Sequence, residues 1–468
     1  MKTYTPTIGL EIHAELKTET KMFCDSKNDP HHAESNTLIC PICMGHPGTL
    51  PTINMEAVKH VLKVGYALGG TLATYTEFDR KNYFYPDIPK GYQISQYAYP
   101  LVSGGSLSSV AITRVHLEED TARSLHDQGD GSIIDFNRAG VPLMELVTEP
   151  VIHDAKTAGD FARELQLLLR TLGVSDANME KGEMRVEANI SVSDTEKWGT
   201  KVEVKNLNSF KSVESAILYE IKRQIEILER NEAVIQETRG WDEVKSKTFS
   251  QRVKETAHDY RYFPDPDLPK LDISKTDLLS RLEEEMPVLP QYKREKYKEL
   301  GLTREQIETI ISDRNIDKFF SGVIGCVNDN SGIVKIAANY ISTDLIPLLL
   351  EGKALPQTDF RNFVSLCLLI AEGTITSRVA KDILPEVVFE NMDPMKLASE
   401  RGLLQDNSED TVRTIVKQVI SENESVVADV KSGKESALQF LLGQCMKISK
   451  GAVNPTIAMK LLREIIGL

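Results

Sequence analysis

Apolar and polar residues alternate in several short segments of the first 290 residues. The apolar positions of residues 7–16 share one side of a two-residue period: Ile8, Leu10, Ile12, Ala14 and Leu16. Glu11, His13 and Glu15 share the other side, and this pattern predicts a β-strand with one buried face. Because side chains at positions i and i+2 point the same way, Glu11 and His13 are candidates to bind one metal ion or one substrate. The alternative is a solvated sheet face that carries charge.

Residues 111–120, 183–192 and 201–205 repeat this alternation, which predicts an antiparallel sheet with one wet face. Helices are expected to cover its dry face. One is predicted to begin after Asp154 and end at Gly173, a second to begin near Asn54, and a third to follow the apolar stripe of residues 213–228. This part of the chain is therefore predicted to be α+β, with helices packed on a large antiparallel sheet.

The alternation stops after Pro290, and a charge run followed by two prolines in residues 283–290 predicts a domain junction. Helical patterning then takes over, with a capped helix start predicted in residues 302–307. We expect three domains: an α+β domain at 1–290, an all-α domain at 291–398 and a small α-helical tail domain at 399–468.

The composition is that of an ordinary globular protein, with 41% hydrophobic and 26% charged residues among 468. No apolar run approaches the length that spans a bilayer, and too few residues precede the first strand for a signal peptide, so we expect a cytoplasmic protein without membrane contact. A net charge of −14 argues against a protein that simply coats nucleic acid, but it is compatible with a local basic patch.

Three of the six cysteines lie close together in sequence with the spacing C-x15-C-x2-C: Cys24, Cys40 and Cys43. This spacing indicates a zinc site, although a structural zinc site normally has four ligands. The candidates for the fourth ligand are Asp25, His31, His32 and His46. The alternative is three ordinary thiols in a reducing compartment.

Three other stretches are rich in the groups that catalysis uses: residues 78–87, 139–150 and 258–267. Aromatic rings and prolines alternate there with charges, which is typical of rigid active-site loops and equally of structural corners with ion pairs. The chain has none of the standard glycine motifs that bind phosphate. Four side chains are candidate ligands of a Mg²⁺ ion that bridges phosphate oxygens: Glu11, His13, Glu119 and Glu145.

Several long motifs, in order and in register, resemble those of one family nearly from end to end. They are GLEIH at 9–13, DRKNYFYP at 79–86, GYQISQ at 91–96, HLEED at 116–120, KNLNS at 205–209 and DYRYFP at 259–264. The chain resembles the B subunits of the aspartyl/glutamyl-tRNA amidotransferases. The resemblance implies a cradle-shaped domain on a large antiparallel sheet, then a helical domain, then a tail domain of the YqeY type.

By resemblance, we expect a ligase subunit in a heterotrimer, with an amidase-type A subunit that releases ammonia from glutamine and a small C subunit. The chain is expected to bind tRNA(Gln) or tRNA(Asn) and to phosphorylate the side-chain carboxylate of Glu-tRNA(Gln) or Asp-tRNA(Asn) with ATP and Mg²⁺. Ammonia then displaces the phosphate, which is a better leaving group than an oxide. The sequence leaves open whether Glu-tRNA(Gln), Asp-tRNA(Asn) or both are the substrates.

The resemblance also implies roles for individual residues. It places Glu11, His13, Glu119 and Glu145 at the family's Mg²⁺ positions, and Lys81 at a lysine near the ammonia path and the reaction centre. Lys81, Glu119 and Glu11 are thus the expected catalytic residues. Five residues of the polar strand face are expected to contact ATP or the acceptor end of the tRNA: Arg185, Glu187, Asn189, Lys205 and Asn206.

One departure from the family concerns zinc. Zinc-bearing members have a C-x-C pair where this chain has Cys24-Asp25-Ser26, so Ser26 lies where a fourth thiolate would be. Other members lack the cysteines, so a zinc ion here would be structural and dispensable. Because the net charge is acidic, we expect the tRNA contacts to be concentrated on the helical and tail domains, with shape contributing much of the recognition. The candidate contacts are four lysines of the tail domain: Lys431, Lys434, Lys447 and Lys450.

These observations support three hypotheses about function. The first is the kinase and amidotransferase subunit, the second a non-catalytic adaptor that binds tRNA, and the third a metal-dependent ligase that acts on a small free acid. The carboxylates with His13 favour an enzyme over an adaptor, and the lysines of the tail favour tRNA over a small acid.

Overall fold

The computed structural model describes residues 3–125, 131–253, 260–356, 359–405, 409–431, 433–449 and 453–467. Residues 258 and 259 of the third candidate stretch, and Lys450 of the tail, lie outside these ranges. The chain divides into two compact units, Met1–Pro290 and Gln291–Leu468, called here unit 1 and unit 2.

Unit 1 is a mixture of strands and helices, as the sequence predicts. Its strands are β1 (Thr5–Glu15), β2 (Thr71–Leu72), β3 (Tyr75–Thr76), β4 (Asp79–Asn82), β5 (Tyr92–Ser95), β6 (Val102–Ser103), β7 (Ser106–Leu107), β8 (Val110–Glu119), β9 (Arg123–Leu125), β10 (Ile133–Asp135), β11 (Pro142–Thr148), β12 (Met184–Ser193), β13 (Val202–Leu207), β14 (Glu237–Asp242), β15 (Lys247–Val253), β16 (Phe263–Pro264) and β17 (Leu271–Asp272). Its helices are α1 (Met55–Ala67), α2 (Ala155–Leu172), α3 (Phe210–Glu229) and α4 (Leu278–Glu285), with a 3₁₀ turn at Ile273–Lys275.

The main sheet of unit 1 has the strand order β15-β14-β13-β12-β1-β11-β8-β6-β2, and β7 pairs with β8 beside this path. Its neighbouring strands are antiparallel except for β13 and β14, which run parallel. The sequence predicts a large antiparallel sheet, and the observed sheet is large and mixed, because this one pair of strands is parallel. The reason is α3, which follows β13 and returns the chain so that β14 starts in the same direction, as a parallel pair requires.

The central strand β1 shows the predicted alternation. Ile8, Leu10 and Ile12 are fully buried and belong to a hydrophobic core that residues of α1, α2 and α3 complete. Burial of these side chains against the helices stabilises the fold by about 25 cal/mol for each Å² of apolar surface removed from water. The polar side chains of β1 consequently point to the opposite face of the sheet.

The caps of α2 agree with the sequence. The carboxylate of Asp154 accepts a hydrogen bond from the amide of Thr157 at 2.8 Å, which satisfies one of the free donors at the start of the helix. Gly173 ends the helix in the left-handed region with φ of 72°, a conformation in which a side chain would be strained. Asn54 caps α1 in the same way as Asp154 caps α2.

A small sheet of order β16-β4-β5 contains the first residues of the DRKNYFYP motif. In it, Lys81 of β4 is paired with Gln93 of β5. The side-chain amide of Gln93 donates a hydrogen bond to the carbonyl of Glu119 at 2.6 Å, and the backbone amide of Leu117 donates to Gln96 at 3.0 Å. These bonds fix the small sheet against the end of β8 in the main sheet.

Unit 2 is built from helices. They are α5 (Pro290–Glu299), α6 (Arg304–Ile311), α7 (Arg314–Cys326), α8 (Ser331–Tyr340), α9 (Ile346–Leu349), α10 (Arg361–Ala371), α11 (Ser377–Phe389), α12 (Pro394–Glu400), α13 (Glu409–Glu422), α14 (Glu424–Lys431), α15 (Glu435–Ile448) and α16 (Pro455–Ile466), with a π-helical turn at Ile341–Leu345 between α8 and α9. Thr303 and Gln306 form the predicted capping box of α6. Across the ranges that the structure describes, no helix is long and apolar enough to cross a membrane.

One hydrophobic cluster of unit 2 draws its buried residues only from α13 to α16 and the residue Val453 that precedes α16. Its fully buried members include Val412, Val416, Leu441 and Leu461. These four helices therefore share a core of aliphatic side chains.

Candidate functional site

Polar side chains of four neighbouring strands meet on the face of the main sheet opposite the helices. In the strand register, His13 of β1 lies between Glu145 of β11 and Arg185 of β12, and Glu11 lies opposite Glu187 of β12. Partners directly opposite each other on neighbouring strands have side chains on the same face, about 5 Å apart. The antiparallel register thus brings together residues that are far apart in sequence.

Glu145 is the centre of this group. Its Oε2 atom lies 3.4 Å from Nε2 of His13 and 3.4 Å from Nε2 of His116. Nε2 of His13 is also 3.8 Å from a carboxylate oxygen of Glu11 and 3.8 Å from one of Glu118. Two sets of possible metal ligands overlap here, Glu11 with His13 and Glu145, and His116 with Glu118 and Glu145; within each set the ligand atoms lie within 4.8 Å of one another.

Glu119 does not join this group, although the sequence analysis predicts it there. Side chains alternate along β8, so Glu118 shares the polar face with His116 while Glu119 points to the other face. The carboxylate of Glu119 accepts a hydrogen bond from the backbone amide of Ile94 at 2.9 Å and is bonded to the ammonium of Lys90. Three of the four predicted Mg²⁺ ligands thus converge, and Glu118 occupies the place expected for the fourth.

His116 and Glu118 are the residues that the sequence analysis missed. The signal for them is present in β8, where Arg114, His116 and Glu118 alternate with Val115 and Leu117. The same two-residue period that identifies Glu11 and His13 on β1 therefore identifies His116 and Glu118.

The carboxylates and imidazoles of the group shift each other's pKa values. Burial, together with the neighbouring carboxylates of Glu145 and Glu187, raises the pKa of Glu11 to about 7. Burial alone would lower the pKa of His13, but its hydrogen bond to Glu145 and the surrounding carboxylates raise it to about 9. Without a divalent cation, the imidazolium of His13 is therefore a positive charge that offsets these carboxylates at neutral pH.

Glu145 and His116 form the second half of this charge balance. Burial would lower the pKa of His116, but Glu145 and Glu118 raise it to about 9. Burial would raise the pKa of Glu145, but His116 and His13 hold it well below its ordinary value. A buried site with this many negative oxygens is suited to a divalent cation, which would displace the protons of the two imidazoles.

Lys81 of the small sheet lies beside these carboxylates. Burial would lower the pKa of Lys81, but the charge of Glu118, followed by that of Glu145, raises it. The ammonium lies 5.3 Å from the centre of the Tyr260 ring, a cation–π contact. Lys81 is therefore a positive charge held near the candidate ligand group.

Tyrosine rings form a wall around Lys81. Tyr83 and Tyr260 meet edge to face with ring centres 5.8 Å apart, and Tyr97 stacks on Tyr262 at 4.4 Å. The backbone amide of Asn82 donates a hydrogen bond to the carbonyl of Tyr260 at 2.9 Å, which ties the two motifs DRKNYFYP and DYRYFP together. Their described residues thus form an ordered wall.

The five predicted nucleotide contacts differ in their surroundings. Nη2 of Arg185 donates hydrogen bonds to both carboxylate oxygens of Asp120 at 3.0 and 3.1 Å. The ammonium of Lys205 lies 2.8 Å from Glu187 and 3.4 Å from Glu203. Glu203, which the sequence analysis did not single out, forms a further possible ligand set with Glu11 and Glu187.

Two asparagines complete the set of five. Oδ1 of Asn189 is buried and has no hydrogen-bond partner among the residues described. Asn206 lies at a β-bulge of β13 with φ of 63°, and its side chain is exposed. Asn189 thus offers a buried acceptor to a ligand, whereas the side chain of Asn206 lies outside the buried group.

A separate group in unit 1 contains Cys24, Cys40 and Cys43, whose sulfur atoms lie within 4.8 Å of one another. The hydrogen bond between Cys24 and Cys43 is the main cause that lowers the pKa of Cys43 to about 5. The four residues predicted as a fourth ligand lie outside the group. His31 is 2.9 Å from Glu15, His32 is 2.8 Å from Asp29, and the side chains of Asp25 and His46 are exposed.

The tail lysines within the described ranges are exposed side chains of unit 2. Lys431 ends α14, Lys434 precedes α15, and Lys447 lies in the last turn of α15. Lys434 forms a salt bridge with Asp429 at 3.0 Å, so its charge is partly offset.

Two protein families match this chain. The family described as the GatB/GatE catalytic domain matches residues 6–278, and the family described as the GatB domain matches residues 318–466.

Curated relatives are similar over almost the whole length. The chain is 41% identical over 477 residues to the B subunit of the aspartyl/glutamyl-tRNA(Asn/Gln) amidotransferase from Thermodesulfovibrio yellowstonii, with 99% of each chain covered. It is 44% identical over 479 residues to the protein of the same name from Thermomicrobium roseum, with 98% of each chain covered. The protein of that name from Thermotoga maritima is 41% identical over 487 residues, again with 99% of each chain covered.

Proposed function

Because the chain belongs to the family of aspartyl/glutamyl-tRNA(Asn/Gln) amidotransferase B subunits, we propose that it activates and amidates the side-chain carboxylate of Glu-tRNA(Gln), Asp-tRNA(Asn) or both. A carboxylate oxygen of the substrate attacks the γ-phosphorus of ATP, which forms an acyl phosphate and releases ADP. Ammonia then attacks the acyl carbon, and phosphate leaves. The observation that carries this proposal is the convergence of Glu11, His13, Glu118 and Glu145 on one polar face of the main sheet.

The donor set fits a magnesium ion. Glu11, Glu118 and Glu145 supply carboxylate oxygens, which Mg²⁺ prefers, and His13 adds one nitrogen. When bound, Mg²⁺ offsets the negative charge of the triphosphate and the substrate carboxylate as they approach each other. We propose Glu118 in place of Glu119, because Glu119 is held by Ile94 and Lys90 on the other face of β8.

Lys81 is proposed to orient the reacting groups. Its ammonium is held near Glu118 and Glu145 and keeps its proton, so it offers a positive charge to the substrate carboxylate and to the phosphoryl group in transfer. The tyrosine wall limits the access of water to this point, which protects an acyl phosphate from hydrolysis.

The nucleotide is proposed to lie along β12 and β13. Lys205 supplies a cation for phosphate oxygens, and Oδ1 of Asn189 accepts from a donor such as a ribose hydroxyl. Arg185 acts there as a positive charge that Asp120 keeps in place. Glu187 positions Lys205, and Asn206 at the exposed bulge is left for the acceptor end of the tRNA.

The proposed assembly is a heterotrimer with an amidase-type A subunit and a small C subunit. Ammonia has to arrive uncharged, because its protonated form has no lone pair for attack, so a closed route from the A subunit to Lys81 is a physical requirement. Within this chain we propose a cradle domain at 1–290, a helical domain at 291–398 and a YqeY-type tail domain at 399–468 that contacts tRNA.

The role of the tail is tested by charge reversal in the full chain. Changing Lys431, Lys434 and Lys447 to glutamate is expected to weaken tRNA binding and to reduce its dependence on salt, since each lost phosphate contact lowers the slope of log affinity against log salt by about 0.7 to 0.9. An unchanged affinity at physiological salt contradicts a tRNA contact at these lysines.

The catalytic proposal is tested with two neighbouring variants in the reconstituted trimer. Glu118→Gln is expected to abolish most tRNA-dependent ATP turnover with tRNA affinity retained, because it removes a metal ligand. Glu119→Gln is the matched control on the opposite face, and it is expected to change turnover much less. If both variants keep full turnover, the chain is an adaptor; if wild-type protein turns over ATP with free glutamate and no tRNA, it is a small-acid ligase.

A further inference from the structure

Arg114 lies on the polar face of the main sheet because of a β-bulge in β8. The pairing of β8 with β11 shifts by one position here, which leaves Thr113 as an extra residue between Ile112 and Arg114. Ile112 is buried in the hydrophobic core, whereas the side chain of Arg114 points to the face that carries Glu145. The hydroxyl of Thr113 donates a hydrogen bond to Glu149 at 2.8 Å, which holds the bulge. Bulges of this kind often re-aim a side chain beside an active site.

The guanidinium of Arg114 lies beside the candidate ligand group without a hydrogen bond to it. Nη2 is 3.7 Å from Oε1 of Glu145, which is too long for a hydrogen bond. Within the ranges that the structure describes, this guanidinium donates no hydrogen bond. By contrast, Arg185 and Lys205 on the same face each have a carboxylate oxygen within 3.0 Å. Because 38% of the Arg114 side chain is exposed, its donors are available to a ligand that binds on this face.

The charge of Glu145 does not explain why an arginine stands here. The imidazoles of His13 and His116 both lie 3.4 Å from Glu145, closer than the guanidinium does. A guanidinium presents five N–H donors in a planar fork, and this fork matches two oxygens of a phosphoryl group. An arginine with unused donors beside a group of metal-binding carboxylates is therefore suited to an oxyanion that approaches the metal.

The register of the sheet places Arg114 across the candidate ligands from the proposed nucleotide site. One row across the polar face takes one residue from each of four neighbouring strands: Arg114, Val147, Glu11 and Glu187. Neighbouring strands lie about 4.8 Å apart, so this row is about 14 Å long. Lys205, proposed above to bind the nucleotide phosphates, contacts Glu187 at the far end of the row. A phosphoryl group that leaves the nucleotide for an acceptor near Glu145 therefore moves toward Arg114.

We propose that Arg114 is a catalytic residue that binds the phosphoryl oxygens during transfer from ATP and in the acyl phosphate; this inference rests on the proposed function. In the first step, a substrate carboxylate oxygen bonds to the γ-phosphorus, and the bond from phosphorus to the bridging oxygen breaks, with its electron pair going to ADP. In the second step, a carbon–nitrogen bond forms, phosphate leaves with the electron pair of the carbon–oxygen bond, and one nitrogen proton goes to solvent. Arg114 keeps its proton throughout and stabilises the charge of the phosphoryl oxygens.

The kinetic test compares Arg114→Gln with the wild type in the reconstituted trimer. The kcat of tRNA-dependent ATP turnover is expected to fall by about 100- to 1,000-fold, the usual effect of losing one donor to a transition-state oxyanion. The KM values for ATP and aminoacyl-tRNA are expected to change little, because the contact forms with the group in transfer. Arg114→Lys keeps the charge without the planar fork, so an intermediate kcat is expected, and it serves as the second variant if Arg114→Gln does not fold.

The matched control is Arg163→Gln. The side chain of Arg163 is 44% exposed, similar to that of Arg114, but it belongs to α2, whose buried residues pack in the core on the opposite face of the sheet. This variant is expected to turn over ATP like the wild type. A loss as large as that in Arg114→Gln would overturn the assignment of the effect to the phosphoryl group.

A binding measurement separates the phosphoryl group from the rest of the nucleotide. With Mg²⁺, ADP and aminoacyl-tRNA, fluoroaluminate mimics the phosphoryl group in transfer. The wild-type trimer is expected to bind ADP more tightly when fluoroaluminate is present. Arg114→Gln is expected to lose most of this gain and to bind ADP alone with unchanged affinity.

The outcomes distinguish this inference from the proposed function. An equal fluoroaluminate gain in Arg114→Gln and the wild type overturns the inference. A rise in the KM for aminoacyl-tRNA at full kcat also overturns it, because it assigns the arginine to the substrate carboxylate. If Glu118→Gln is inactive while Arg114→Gln keeps full turnover, the inference fails and the proposed function stands. If both variants keep full turnover, the proposed function fails as well.

Discussion

Unit 1 and unit 2 use charged side chains in opposite ways. In unit 1, the buried Glu118 and Glu145 and the partly buried His13 lie on neighbouring strands of one sheet, with His13 within 3.8 Å of both carboxylates. In unit 2, a typical pair joins Arg413 to Glu409 and Glu464 on exposed helix surfaces. Burying charged groups costs folding free energy, and such groups are retained mainly where a function needs them, whereas exposed ion pairs add little to stability. The difference supports the proposal that the chemistry takes place in unit 1.

The largest effect is expected from Glu145→Gln, which removes the central charge of the buried group. Since even outer partners of a metal ligand change activity by 10- to 100-fold, tRNA-dependent ATP turnover is expected to fall by more than about 100-fold. The pKa of His13 is expected to fall from about 9 toward its ordinary value, because Glu145 is the main group that raises it. Turnover of the reconstituted complex and histidine NMR titration of the metal-free chain measure the two effects; retained turnover contradicts the assignment of chemistry to this group.

A smaller effect on stability is expected from Asp120→Asn in unit 1. The change leaves Arg185 and Arg138 without their buried partner, and it is expected to cost about 3 kcal/mol of unfolding free energy, the low end for a buried pair because 29% of the Arg185 side chain is exposed. Both tryptophans, Trp198 and Trp241, lie in unit 1, so the fluorescence change in denaturant reports this unit selectively.

The same variant has a defined pH dependence. Burial would raise the pKa of Asp120, but Arg138 and Arg185 lower it below the ordinary value. The stability that this carboxylate contributes is therefore complete above about pH 4 and is lost as the pH falls through its lower folded pKa. The difference between wild type and Asp120→Asn should shrink in acid; a difference that grows as the pH falls contradicts the ion pair.

A third variant, Asp317→Asn, examines the exception in unit 2. Asp317 is buried, accepts a hydrogen bond from the hydroxyl of Tyr297 at 3.0 Å and pairs with Lys293. We expect the unfolding free energy to fall by about 1–3 kcal/mol and ATP turnover of the folded fraction to be unchanged. The circular dichroism of the helices measures the unfolding. Lost turnover at full stability would place chemistry in unit 2 and break the comparison.

The smallest effect is expected from Arg413→Ala. Both of its partners are exposed, so the unfolding free energy is expected to fall by less than about 1 kcal/mol. The small salt-dependent contribution of these two ion pairs is expected to be lost. The midpoint of denaturant unfolding at low and high salt measures this. A loss of several kcal/mol would show that exposed pairs in unit 2 stabilise the fold as strongly as the buried pairs in unit 1.

The sequence predicts those parts of the fold that depend on local pattern. The two-residue period of β1 and the caps at Asp154 and Gly173 are local features, and they are confirmed. The parallel pair of β13 and β14 is not local, because it depends on where α3 returns the chain.

The candidate site shows the same limit. The alternation in β8 indicates Glu118, but the motif HLEED by itself does not distinguish Glu118 from Glu119. The environment of Lys21, a fully buried lysine of unit 1, was not predictable, because the carbonyl oxygen of Phe136 that its ammonium contacts lies far along the chain. Pairings between strands determine such contacts, and one sequence does not encode them in a local pattern.

The opposite orientations of Glu118 and Glu119 restrict how this protein can change length during evolution. One residue inserted within β8 ahead of Val115 would turn His116 and Glu118 to the opposite face and put Val115 and Leu117 in their places, so the candidate cation site would lose both side chains in a single step. Length variation is tolerable instead in the hairpin between β7 and β8, where Ser108 and Ser109 adopt φ values of 49° and 67° outside the paired strands. Natural insertions in such chains should therefore accumulate at the tip of this hairpin, while β8 keeps its pairing register.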